Sequence, residues 1–309
     1  MAADRTVEVE GRELRLTNLD KVLYPKTGFT KGEVIDYYAK VAPAIVPHLA
    51  GRALTLRRFP EGVDRGDAAF FEKRCPKHRP WWVRTATVLA GPRAGEIDFC
   101  VCDDLPTLVW MAQLASLELH PSLSLADAPE RPTVLAFDLD PGPPADIVEC
   151  SRVALRLREM FGHLGLECFP KTSGSKGMQV YLPLNTEVTY DETKPFARAI
   201  AQLLEKQTPD DVVSTMKKVE RKGKVFVDWS QNHQRKTTIA VYSLRARENP
   251  TASTPVSWDE VTAAAESDDP DSLVFEAPAV LERAERHGDL FAPVLALEQE
   301  LPDFAGLAG

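Results

Sequence analysis

The chain has 309 residues, enough for one large domain or two modest lobes, and 44% of them are hydrophobic, enough for a sizeable core. No apolar run is long enough to span a bilayer, and the polar start MAADRTVEVEGRELR does not resemble a secretory leader. The net charge of −9 argues at first against nucleic acid, but residues 215–247 carry nine Lys/Arg against two acids, whereas 248–309 carry two Arg against fourteen acids, so the acidity sits in the tail and leaves a basic working region.

Residues 6–16 alternate as a β-hairpin. Lys21, Lys26 and Lys31 then flank Tyr24-Pro25 and Gly28 in a turn that leads into a helix over 30–50, with Thr30 as N-cap and Glu33 at the capping-box position. Backbone N–H groups at that helix start, with the lysines, make a phosphate pocket. Strands are predicted over 52–60 and 68–73 and a helix over 107–119. A regular unit follows: strand 133–139, helix 146–164, strand 166–171, strand 177–183, helix 192–207, strand 224–230. This β-α-β-β-α-β order is ferredoxin-like, a topology whose first and last strands lie side by side. A further strand over 237–244 carries Arg245 and Arg247 at its end. Beyond Pro250 the sequence predicts a Ser253-Thr254-Pro255 turn, an acidic loop over 267–271 and one helix over 277–287. The five cysteines (75, 100, 102, 150, 168) lack zinc-ribbon spacing and point to a reduced, cytosolic chain; Cys75-Pro-Lys-His78 lacks the partner ligands of a zinc site.

The segment VLAFDLDPGP places Asp138 and Asp140 at i and i+2, on one face of the strand. Asp228 lies in a second β-rich run, KVFVDWSQN, which the topology puts beside the first. Three carboxylates held on strands suit hard divalent cations, and a pair of such ions roughly 4 Å apart serves in-line nucleotidyl transfer. Between the acidic strands lies Lys171-Thr-Ser-Gly-Ser-Lys-Gly177, whose glycines let backbone N–H groups approach an anion while Lys176 adds charge; the Walker A spacing is absent.

FDLDPG, TSGSKG and VFVDWSQN, in that order, resemble the three motifs of the archaeo-eukaryotic primase superfamily, and the whole is similar to the polymerase domain of bacterial ligase D. LTNLDKVLYP, GFTKGEVIDYY, AAFFEKR, the Trp110–His120 segment and KTTIAVYSLRAR extend the resemblance from about Leu14 to Leu290. It implies an α/β chain of the α+β type: a ferredoxin/RRM-like catalytic core (130–250) with an N-terminal mixed α/β lobe (1–125) and an acidic C-terminal extension (251–309), together one primase-polymerase domain. It implies that Asp138, Asp140 and Asp228 hold two Mn2+ or Mg2+ ions. Ser173, Ser175, Lys176 and Arg245 would hold the incoming triphosphate. Arg57, His120 and Gln231 would face the nucleotide, Phe70 and Phe71 would stack on its base, and Arg221 lies beside the third motif. Gln179 stands where the family commonly has histidine and carries no charge at any pH. Lys21 and Lys31, helped by Lys26, would take a 5′-phosphate across a gap. The expected partners are gapped or broken DNA, rNTP or dNTP, Ku and a separate ATP-dependent ligase, with no membrane, in the bacterial cytoplasm at the nucleoid. Two other readings stay open, a primase that starts chains de novo and a DNA-end binding module that recruits a ligase.

Overall fold

The computed structural model describes residues 4–91 and 95–302. The last seven residues of the expected C-terminal extension lie outside that range. The chain splits into two compact units. The first comprises 1–122, 237–253 and 275–289, and the second 123–236, 254–274 and 290–309. Residues 251–309 are thus shared between the two units.

The first unit opens with the hairpin of β1 (Arg5–Val9) and β2 (Arg12–Leu16), turned through Glu10 and Gly11, both at positive φ. A short ladder of β3 (Val22–Tyr24) and β4 (Phe29–Thr30) leads into α1 (Lys31–Leu49). The predicted capping box is present: the Glu33 amide donates to Thr30 Oγ1 at 3.2 Å and the Thr30 amide to Glu33 Oε2 at 2.7 Å. Val34, Tyr38, Val41, Ile45 and Leu49 form the buried stripe of α1.

β5 (Leu54–Arg58), β6 (Phe70–Glu72), β7 (Thr85–Gly91) and β8 (Gly95–Cys100) form an antiparallel sheet ordered β6-β5-β8-β7. The β7–β8 pair has no counterpart among the predicted elements. The helix predicted over 107–119 is in fact α2 (Leu105–Gln113), followed by β9 (Ser116–Pro121), which pairs with β5. Ala115 at φ +56° breaks the helix and turns the chain into the strand. The expectation of a fully reduced chain is also corrected, because Cys75 and Cys100 form a disulfide that closes a 25-residue separation. That bridge removes Cys75 from any zinc site.

The second unit is built on β10 (Val134–Pro141), α3 (Ile147–His163), β11 (Phe169–Thr172), β12 (Met178–Pro183), α4 (Tyr190–Gln207), β13 (Val212–Val213) and β14 (Val225–Asp228). The sheet order is β11-β12-β10-β14-β13, so the first and last strands of the predicted unit are neighbours, as its topology requires. Phe137 packs on Phe161 of α3 with ring centroids 5.5 Å apart. Residues alternating with Phe137 therefore point to the opposite face, and these include Asp138 and Asp140.

Two further differences lie downstream. The strand predicted over 237–244 is an irregular extended segment. The Thr238 and Ala240 amides donate to Pro121 and Leu119 of the first unit, but Tyr242 at φ +64° then turns the backbone away from the ladder. The tail holds α5 (Trp258–Glu266), which was not predicted, and α6 (Ala277–His287), which was. Among the described residues no helix is long and apolar enough to cross a membrane.

Candidate active site

The ladders of the second unit place four polar side chains in one row. Lys171 on β11 pairs with Gln179 on β12, Gln179 with Asp138 on β10, and Asp138 with Asp228 on β14. Directly opposed residues share a face, and Asp140 joins it two residues on from Asp138. Gln179 Nε2 donates to Asp138 Oδ1 at 3.0 Å. Asp228 caps the turn that follows β14, accepting from the Ser230 amide at 2.9 Å and hydroxyl at 2.6 Å on Oδ1, and from Gln231 Nε2 at 2.9 Å on Oδ2. Asn232 fixes that turn to β10 by a reciprocal pair of bonds with the Ala136 backbone, at 2.9 and 2.8 Å.

The electrostatics of the row are unbalanced. Burial, then the charge of Asp140 and also that of Asp228, push the Asp138 carboxyl up to about 6 against the opposing pull of Gln179 and Lys171. Lys171, fully buried with Nζ 5.3 Å from the Tyr181 ring centre, is a charged member of the row that sequence reasoning passed over. The buried Oε1 of Gln179 has no hydrogen-bond partner among the described residues. An all-oxygen donor set, mutual repulsion among carboxylates and an orphaned oxygen fit a hard divalent cation. The side chains do not converge on one, however: among the described residues no three His, Cys, Asp or Glu groups are arranged to hold a metal ion. Ser230 and Gln231 hold the Asp228 oxygens in the turn, with two bonds on Oδ1 and one on Oδ2.

The loop between β11 and β12 closes tightly. Ser173 Oγ accepts from the Ser175 and Gly177 amides, both at 3.2 Å, while the Ser173 amide donates to Gly177 O at 2.9 Å. Ser173 thus fastens the loop and keeps only its O–H to offer an anion. A Cβ on Gly177 would come within 2.0 Å of Leu139 O, so only glycine lets the loop lie this close to the strand of the aspartates. Lys176 is exposed, with no ion pair among the described residues. Arg221 lies with Cζ 3.7 Å from the Phe226 ring centre, and Phe226 pairs across the ladder with Asp140.

The first unit gathers a different cluster around Glu118 on β9. Arg57 Nη1 donates to its two oxygens at 3.3 and 3.2 Å, His120 Nε2 lies at 3.0 Å, and the Ala246 amide donates at 3.1 Å. Arg245 Nε stands 3.4 Å away as an ion pair without hydrogen-bond alignment. Burial opposes the charge on Glu118, but the His120 bond and the Arg245 charge overcome it and bring the carboxyl down to about 2. Burial pushes His120 below its ordinary value against the opposing pull of Glu118, and Arg245 and Arg57 add to the fall, so the imidazole is the neutral donor to the Glu118 carboxylate near pH 7. Glu118 was missed from sequence, although an acid inside the apolar Ser116-Leu-Glu-Leu-His run was a visible sign.

Phe70 and Phe71 are not core residues: they are 42% and 60% exposed, with Arg58 and Arg57 each 5.2 Å from one ring centre. Of the three lysines, Lys21 and Lys31 are brought together and Lys26 is not. The Lys31 amide donates to Lys21 O at 2.8 Å, while Lys26 pairs with Glu248 at 2.8 Å. Lys31 is buried, its amine donates to Thr17 O at 2.8 Å, and burial and then the Lys21 charge push it down to about 8. The helix start offers fewer donors than the sequence suggested. The Lys31, Gly32 and Glu33 amides are already bound to Lys21 O, Leu19 O and Thr30 Oγ1. Any phosphate here would rest on the helix dipole and the two amines, and would compete with Glu61 for Lys21, whose Nζ lies 3.0 Å from that carboxylate.

A family model described as LigD, primase-polymerase domain, matches residues 30–291. The chain is 42% identical over 283 residues to the multifunctional non-homologous end joining protein LigD of Mycolicibacterium smegmatis, covering 91% of this chain and 36% of that protein. It is 30% identical over 291 residues to the bifunctional LigD of Bacillus subtilis, covering 94% of this chain and 45% of that one. It therefore spans less than half the length of these relatives. Among solved structures, the polymerase domain from Mycobacterium tuberculosis ligase D in complex with DNA aligns with a TM-score of 0.84 at 41% identity, covering 93% of this chain and 99% of that one.

Proposed function

This chain belongs to the LigD primase-polymerase domain family, and we propose that it is a template-dependent nucleotidyltransferase of DNA repair that extends a primer 3′-hydroxyl across short gaps or joined break ends. The observation that carries the reading is the Lys171–Gln179–Asp138–Asp228 row with Asp140 beside it. Two Mn2+ or Mg2+ ions held by Asp138, Asp140 and Asp228 would supply a 3′-hydroxyl of lowered pKa and a counter-charge to the triphosphate. Gln179 is suited to orient Asp138 through one N–H of its side-chain amide and to offer the second N–H to a phosphate. Ser175, Lys176 and the Ser173 hydroxyl are suited to the triphosphate. In the first unit Arg57, Arg245 and His120, held around Glu118, are suited to a nucleotide, and exposed Phe71 and Phe70 to its base. Lys21 and Lys31 are suited to a downstream 5′-phosphate.

The names of the relatives point to end joining, so Ku and an ATP-dependent ligase activity are the partners we propose in the cell. A DNA-end binding module without catalysis is less well supported, because it leaves the carboxylate row without a use. The test is primer extension on a gapped duplex, with and without the 5′-phosphate, using rNTP or dNTP. Metal-dependent, template-directed addition supports the reading. Tight DNA binding with no addition under any metal favours the binding module.

A further inference from the structure

The stretch between β6 and β7, Lys73-Arg-Cys-Pro-Lys-His-Arg-Pro-Trp-Trp-Val-Arg84, plays no part in the sites above. Lys73, Arg74, Lys77 and Arg79 place four cations within seven residues. Their side chains make no ion pair or hydrogen bond among the described residues. The acid that precedes them in sequence, Glu72, is already paired with Arg58 at 2.9 Å. Beyond them Trp81 is 94% exposed, whereas tryptophan is highly buried on average.

This exposure is not that of a loose segment. Cys75 is buried and bridged to Cys100, and its amide donates to Asp98 O at 2.7 Å. At the other end the Val101 amide donates to Arg84 O at 3.0 Å, Val83 is buried, and half-buried Trp82 lies under the Arg12 guanidinium at 5.0 Å. Both ends are pinned to β8 and the residue after it, and Trp81 is held out between them.

We propose that this pinned segment is a docking surface for single-stranded nucleic acid, with Trp81 as a platform for one base and Lys73, Arg74, Lys77 and Arg79 as contacts for its phosphates. The proposal deepens the polymerase reading, on which it rests for the presence of an unpaired strand. β6 leads directly into the segment and carries Phe70 and Phe71, so the four cations lie in sequence between two exposed phenylalanines and Trp81. Single strands are held by that combination, because every base offers a π-face and every linkage a negative charge. An anionic membrane would also attract the cations, but Trp81 is the sole exposed large apolar side chain within 73–84, too little apolar surface for insertion.

The test is fluorescence anisotropy of the full chain with a labelled oligothymidylate of about 12 nucleotides, a length within single-strand site sizes. It is run with chelator and without nucleotide, so the carboxylate row takes no part. Trp81→Ala removes no packing, and it should weaken binding about tenfold with an unchanged salt slope, while Trp81→Phe should recover most of the loss. Lys77→Ala with Arg79→Ala should lower the slope of log affinity against log salt by about 1.4, two phosphate contacts on a single strand. Unchanged affinity in Trp81→Ala overturns the proposal, as does equal binding of phosphatidylserine vesicles that is lost with Trp81. Loss of extension in Asp138→Ala alongside wild-type oligonucleotide binding by Trp81→Ala would sink this inference and leave the polymerase reading standing. Normal extension by Asp138→Ala with weakened binding by Trp81→Ala would do the reverse.

Discussion

Buried Glu118 in the first unit and half-buried Asp138 in the second are both carboxylates on strands, yet they shift in opposite directions. Glu118 meets two guanidiniums, an imidazole and a backbone amide, and falls to about 2. Asp138 meets two other carboxylates and rises to about 6, although an amide and a buried lysine oppose the rise. Burial costs both acids; what differs is whether the protein supplies the countercharge. Glu118 is electrostatically complete, and its work is to hold Arg57, Arg245 and His120. The row at Asp138 gathers three carboxylates against one lysine, and we propose that a cation from solution meets the excess. The same residue type thus reads as scaffold in one unit and as a ligand in the other.

The largest expected effect follows from that excess. Asp138→Ala, Asp140→Ala and Asp228→Ala should each lower primer extension by about a thousandfold or more, some 4 kcal/mol in the barrier, while the fold survives. Near wild-type extension by any of the three breaks the assignment. On the other side of the comparison, Glu118→Ala strands two guanidiniums and should destabilise the protein by about 3–5 kcal/mol in urea unfolding. A loss below 1 kcal/mol would show that the cluster is not the scaffold described.

The two acids should also leave opposite marks on stability against pH. The folded Asp138 carboxyl, raised from 3.8 to about 6, holds its proton more tightly than the unfolded chain does. In metal-free protein its contribution is therefore fully present below about pH 4 and lost as pH rises through 6, by about 3 kcal/mol at most. Glu118, lowered from 4.5 to about 2, contributes stability above pH 4.5 that disappears as pH falls toward 2. Urea midpoints of Asp138→Asn and Glu118→Gln across pH 3–8 separate the two. Asp138→Asn should flatten the fall between pH 4 and 7, and a fall unchanged from wild type would assign it to another group.

A smaller effect concerns the lysine pair. Lys21→Ala with Lys31→Ala should remove a preference of about ten- to hundredfold for a gapped duplex bearing a 5′-phosphate over one ending in 5′-hydroxyl. Because Lys31 is held down to about 8, the wild-type preference should already weaken as pH rises through that value. A double variant that still discriminates places the pocket elsewhere.

The topology was legible because strand order in a β-α-β-β-α-β unit is constrained: knowing the order was enough to put Asp228 beside Asp138. The capping box at Thr30 was legible because its chemistry is local. What stayed hidden depended on partners far along the chain. Nothing in the sequence pairs Cys75 with Cys100, or spends the first amides of α1 on Leu19 and Lys21. The break at Ala115 depends on a positive φ that alanine does not advertise, and so the sequence puts Glu118 on a helix and His120 just past its end. α5 is a different case, since Ser257-Trp-Asp-Glu260 is itself a capping box that was readable and was passed over.

The most direct test of the contrast between the units is calorimetric titration of Mn2+ into metal-free protein at pH 7.5 and at pH 5.5. Binding is expected at pH 7.5, weaker at 5.5 where Asp138 holds its proton, lost in Asp138→Asn with Asp228→Asn, and unchanged in Glu118→Gln. Equal binding by wild type and the double asparagine variant, or none by wild type at pH 7.5, would contradict the assignment of the unmet charge at Asp138 to a cation site.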